Sequence, residues 1–149
     1  MSANWYDSAK RLFEDNAGLT SEIMRELLDV DLPPGLPETL LSPVLSDKPS
    51  GVPIPGTVIL VGQARHPLRV IVLEFCQDKD DGKRRQWPHD VMAIWLRHGC
   101  PVDLLAVCPD EETARWYAEP IATTMPGYTC RPQGVSLSRL EVLLPMSGG

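Results

Sequence analysis

The segment Val70–Cys76, reading VIVLEFC, constrains the fold more than any other part of the chain. Val70, Ile71, Val72 and Leu73 form an unbroken apolar run, Glu74 interrupts it, and Phe75 and Cys76 resume it. A β-branched run with so few polar residues predicts a strand buried on both faces. An ionised carboxylate inside such a strand is costly unless something offsets its charge, so Glu74 calls for a partner. Beyond it the chain turns highly charged, QDKDDGKRRQ, and Trp87-Pro88 then reads as the entry to a helix.

The flanking segments read as layers around this strand. Trp5, Tyr6, Ala9, Leu12 and Phe13 recur at helical spacing, and Gly18 is a stop. Thr20 or Ser21 would cap a second helix with Ile23, Met24, Leu27 and Leu28 on its apolar face. Residues 32–55 hold seven of the fifteen prolines. They predict an extended connector, with a short edge strand around Leu40–Leu45. Thr57–Val61 and Arg69–Cys76, joined by a turn containing Arg65-His66-Pro67, predict an antiparallel hairpin. Pro88 suits the first turn of a helix over Trp87–Arg97, with Val91, Met92, Trp95 and Leu96 buried and Gly99 at its C-terminus. Val102–Cys108 predicts another strand, and Asp110 caps a helix over EETARWYAE. Tyr128–Arg131 reads as a strand, and Val135–Leu144 as a strand or a short helix. The sum is an α/β domain with a mixed central sheet flanked by helices.

A chain of 149 residues is long enough for one domain with a real core. Its parts are N-terminal helices over 1–31, a proline-rich connector over 32–55, a core over 56–132 and a C-terminal extension over 133–149. The net charge of −6 argues against wholesale coating of nucleic acid. No run approaches the ~20 apolar residues of a membrane span, and the N-terminus lacks signal-peptide order, so no membrane partner and a cytoplasmic setting are expected. Cys76, Cys100, Cys108 and Cys130 form no CxxC pair and read as buried free thiols.

Several motifs stand in a fixed order. An apolar strand carries Glu74, and a charged stretch follows with Asp80 and Lys83-Arg84. Trp87-Pro88 comes next, then Cys108-Pro109-Asp110, Ala114-Arg115-Trp116 and Pro120-Ile121. From about 56 to 132 this pattern resembles a group of uncharacterised actinobacterial proteins that are similar to the PD-(D/E)XK nuclease superfamily. The resemblance implies a restriction-endonuclease-like αβββαβ core, its first strand falling in the proline-rich stretch. It also implies phosphodiester hydrolysis at one or two divalent cations, usually Mg²⁺, held by acids on two successive strands. A Lys or Gln sits two residues after the second acid.

This chain departs from that pattern. Glu74 is present, but Cys76 stands where Lys or Gln belongs, and Gly56 stands where the first acid belongs. One carboxylate is a poor Mg²⁺ site. The resulting expectation is a catalytically inactive relative, without a cofactor, acting as a binding or assembly module on a protein partner or on itself. The alternative is a Mg²⁺-dependent nuclease rebuilt from Glu74 with Gln77 or Lys79 and an acid such as Asp47 or Glu14.

Each candidate residue has two meanings. Glu74 is a remnant metal ligand, or it is paired with Arg65, Lys83 or Arg84. Lys83, Arg84 and Arg85 contact phosphates, or they belong to a solvated loop balanced by Asp78, Asp80 and Asp81. His89, His98 and Cys100 match no zinc spacing even with Cys76. His66 reads as a solvated turn residue. Trp87, Trp95 and Trp116 read as core rather than as base-stacking surfaces, and Trp5 and Tyr6 as an exposed apolar face.

Overall fold

The computed structural model describes residues 2–16, 18–41, 57–63 and 65–141. Among the described residues twelve elements follow in order: α1 (Ser2–Asp15), α2 (Leu19–Glu26), β1 (Glu38–Leu41), β2 (Thr57–Gln63), β3 (His66–Phe75), α3 (Asp81–His98), β4 (Val102–Cys108), α4 (Glu111–Tyr117), β5 (Ile121–Ala122), β6 (Thr129–Cys130), β7 (Gln133–Ser136) and α5 (Leu137–Glu141).

The main sheet runs β1-β2-β3-β4-β7, and β5-β6 form a separate ribbon. The β1/β2 and β2/β3 pairs are antiparallel, whereas β3/β4 and β4/β7 are parallel. β3 is therefore the strand where the sheet changes character. It lies between two neighbours, as its apolar run predicts. Alternate side chains along β3 and Cys76, which directly follows it, feed opposite cores. Val70, Val72 and Cys76 pack with Trp87 and Ile94 of α3 and with Ala114 and Tyr117 of α4. Ile71, Leu73 and Phe75 pack with Ala9, Ile23, Met24 and Leu140 of α1, α2 and α5.

The antiparallel hairpin is present as expected, with a bulge between Val61 and Gly62. Gly62 takes φ 105°, and an added Cβ would lie 3.0 Å from the Leu68 amide nitrogen. β3 begins at His66, three residues before the expected start, because the turn is tighter than its sequence suggested. The edge strand exists as Glu38–Leu41, while residues 42–45 of the expected strand lie outside the described residues. Residues 133–141 hold both readings, strand β7 and then helix α5.

Two helices depart from expectation. α2 is preceded by Gly18 at φ 86°, and Thr20 and Ser21 are buried within the helix rather than capping it. α3 begins at Asp81, not Trp87, and Pro88 lies inside it. Asp80 caps this earlier start, its carboxylate accepting the Lys83 N–H at 3.1 Å. The shift rotates the inward stripe to Trp87, Asp90 and Ile94. It leaves Trp95 49% and Leu96 70% exposed, so neither is the core residue that the sequence suggested. Trp87 is core, at 0% exposure. The side chains of Trp5 and Tyr6 lie outside the described residues.

Candidate functional site

Glu74 is the next-to-last residue of β3, opposite Ala106 of β4, and is 2% exposed. It points to the α3 and α4 side, where the parallel strands end and both helices begin. Such carboxyl edges are where open α/β sheets place their sites. Lys83, in the first turn of α3, sets its Nζ 3.2 Å from Glu74 Oε1 and donates to the Phe75 carbonyl at 3.3 Å. Lys83 is thus the partner among the three cations named from sequence.

The Lys83 position depends on how α3 is launched. The Tyr117 hydroxyl donates to the Asp78 carbonyl and accepts the Asp80 N–H at 2.9 Å. This clamps the connection from β3 and fixes the Asp80 cap. The Tyr117 ring is itself held between Trp87 and Trp116, with centroids 5.2 and 4.8 Å away.

A second buried carboxylate, Asp90, lies on the same side at 2% exposure and accepts from Gln86 Nε2 at 3.4 Å. Lys83, Gln86 and Asp90 follow one another at spacings of three and four, which puts them on one face of a helix. The sequence reading missed Gln86 and Asp90. Starting the helix at Asp81 would have revealed them.

Burial raises the Glu74 pKa, the Lys83 ammonium pulls it back, and the Asp90 charge adds to the rise. Burial works against the Lys83 charge, but negative charge at Cys76, Glu74 and Asp80 outweighs it and raises that pKa. Glu74 Oε2 is buried and has no hydrogen-bond partner among the described residues. His98 lies at the C-terminal end of α3. Burial and then Arg97 lower the His98 pKa.

The remaining predicted site residues do not converge on Glu74. Gln77 is half-buried in the bend after β3, and Lys79 pairs with Glu112 at 3.2 Å in solvent. Arg84 lies over the Trp116 ring at 5.1 Å and donates to the Glu119 carbonyl at 2.6 Å. Arg85 pairs with Asp81 at 2.8 Å along the helix surface. The basic triplet thus occupies the opening turns of α3 rather than a loop, and each member has a partner within the chain.

A hard divalent cation needs several oxygen donors. Among the described residues no group of three His, Cys, Asp or Glu side chains is placed to hold a metal. Glu74 turns one oxygen to an ammonium and leaves one without a hydrogen-bond partner among the described residues, and the neighbouring Cys76 offers sulfur. This donor set does not fit Mg²⁺. Gly56, Asp47 and the Glu14 side chain lie outside the described residues.

All four cysteines are free and buried, as expected. On the outer side of α3, Pro88, Met92 and Leu96 face Ile121, Met125 and Tyr128 across a cleft of about 510 Å³. Tyr128 anchors that ribbon to α3 by donating to the Pro88 carbonyl at 2.8 Å, and burial pushes its phenol up to about 12. No helix among the described residues is long and apolar enough to cross a membrane. No family model, no curated protein and no solved structure matches this chain.

Proposed function

We propose that this chain is a binding or assembly module on a restriction-endonuclease-like frame, in which a buried ion pair occupies the place of a hydrolytic centre. The order α2-β1-β2-β3-α3-β4 supports the frame, since it follows the αβββαβ pattern that the sequence resemblance implies. The carrying observation is the Lys83 ammonium 3.2 Å from a Glu74 carboxylate that is 2% exposed. A cation site must be open to its cation and substrate, and this acid is neutralised and enclosed. The exposed apolar side of α3, with Trp95 and Leu96, supports docking of a protein partner or a second copy. Four reduced thiols support a cytoplasmic setting.

A second reading, a Mg²⁺-dependent nuclease, draws support from the orphaned Glu74 Oε2 and from Asp90 beside it. Calorimetric titration with Mg²⁺ or Mn²⁺, run beside cleavage assays on a plasmid and an oligonucleotide, separates the two. The assembly module gives no heat and no cleavage. Cleavage that disappears in Glu74→Ala would establish the nuclease instead. Phosphate binding through Lys83, Arg84 and Arg85 without cleavage would appear as affinity falling steeply with salt and weakening in Arg85→Ala.

A further inference from the structure

Cys108 ends β4, and Cys76 directly follows β3, its parallel neighbour. The β3/β4 register pairs Phe75 with Val107, and the Cys76 N–H extends the ladder by donating to the Val107 carbonyl at 2.8 Å. Cys76 therefore lies beside Cys108, and both side chains point into the core beneath α3 and α4. Adjacent strands are about 4.8 Å apart. That spacing falls within the roughly 4.4–6.8 Å range of Cα separations that disulfides span. The Cys108 thiol donates to the Ala106 carbonyl at 3.8 Å, and Lys83, which donates to the Phe75 carbonyl at 3.3 Å, brings a cation to the Cys76 end of the pair.

We propose that Cys76 and Cys108 form a redox-active dithiol, which a hydroperoxide oxidises to a disulfide tying the carboxyl ends of β3 and β4 together. The neighbouring Cys76, and then burial, hold Cys108 in its thiol form. Cys76, directly before the solvent-exposed Asp78–Asp80 connection and next to Lys83, is the sulfur that the oxidant meets first. In the first step the Cys76 sulfur bonds to the distal peroxide oxygen, the O–O bond breaks, and the departing oxygen leaves as an alcohol or water with a proton. In the second step Cys108 gives up its proton and bonds to the Cys76 sulfur. The S–O bond breaks and hydroxide leaves as water. Two electrons pass from the thiols to the peroxide, and a dithiol reductant reverses the change.

The pair is 0–1% exposed, so the oxidant must enter through an opening of the backbone. Cys76 opens the Cys76–Asp80 connection, where Asp78, Lys79 and Asp80 are solvent-exposed and Tyr117 is the clamp. Local opening of such a segment, at less than the cost of global unfolding, admits the reagent.

The test treats the folded full-length chain with hydrogen peroxide, blocks remaining thiols under denaturing conditions and maps the peptides by mass spectrometry. The expected result is loss of two of the four thiols in one step, a Cys76–Cys108 linked peptide, and recovery of both thiols with dithiothreitol. Cys100→Ala and Cys130→Ala should leave the linked peptide in place, and Cys76→Ser should abolish it. The proposal is overturned if the wild-type chain forms no such link. It is equally overturned if Cys100 or Cys130 supplies one of the linked sulfurs, or if Cys76 goes to sulfinate without pairing. The wild-type map decides the matter even where a serine variant fails to fold.

Discussion

Removing the Lys83 ammonium would strand the Glu74 carboxylate in the core with nothing to offset its charge. Breaking a buried pair in this way costs about 3–5 kcal/mol. Lys83→Met should lose stability of that order in urea unfolding at neutral pH, and adding Glu74→Gln should restore much of it. The pH dependence has a definite sign. The folded pKa of Glu74 is raised above its ordinary 4.5, so the folded chain binds more protons than the unfolded chain between those values. The Glu74 contribution to stability therefore declines as pH rises through that window. Loss of Lys83 pushes the folded value higher still, so the penalty in Lys83→Met should shrink on acidification. Lys83 titrates above its usual 10.5, so its contribution is complete below that pH and is lost as pH rises through the folded value. A second residue-scale prediction concerns Tyr117, whose hydroxyl makes two bonds to the β3–α3 connection. Tyr117→Phe should cost about 1–3 kcal/mol and speed hydrogen exchange at Asp80.

At the scale of elements, close packing of α4 on β7 is the most exacting contact. A Cβ added to Gly134 would come 2.2 Å from the Ala114 carbonyl oxygen and 2.9 Å from its carbon, both backbone atoms. Gly134→Ala should thus destabilise the chain by about 1–3 kcal/mol or more, read as a lower urea midpoint with an unchanged slope. Asp80→Ala removes the cap on α3 and should cost about 1 kcal/mol. Strands β2, β3 and β4 and helix α4 were legible in the sequence because their signals agree: apolar runs bounded by turns, and Asp110 followed by two acids. The two-residue β5 was not, because so short a strand carries no periodicity. The start of α3 was not, since Asp80 and Trp87-Pro88 each make a valid helix entry. Choosing the later one displaced the buried stripe. Glu74 and its need for a cation were legible, as one carboxylate in an apolar strand. The identity of that cation was not, because it depended on where α3 begins. Asp90 was hidden for the same reason, and Tyr117 because its hydroxyl bonds across 39 residues of chain.

Across the whole molecule, the sheet divides the core in two, and the outer side of α3 carries Trp95 and Leu96, which are exposed apolar side chains among the described residues. If that side joins two copies, light scattering after size exclusion should give a mass above the monomer at tens of micromolar chain. Trp95→Glu with Leu96→Glu should return it to monomer with little change in unfolding midpoint. A monomeric mass throughout would leave a different protein as the partner. The change of direction at β3 also bears on how the chain reaches this form. β2 and β3 are joined by two residues, whereas β4 waits for α3 to cross over and β7 waits for α4. Contacts of short sequence separation cost less loop-closure entropy and precede the distant ones. The hairpin should therefore be assembled at the rate-limiting barrier and β7 added after it. Trimming Val72 should slow refolding, while trimming Val135 should chiefly hasten unfolding.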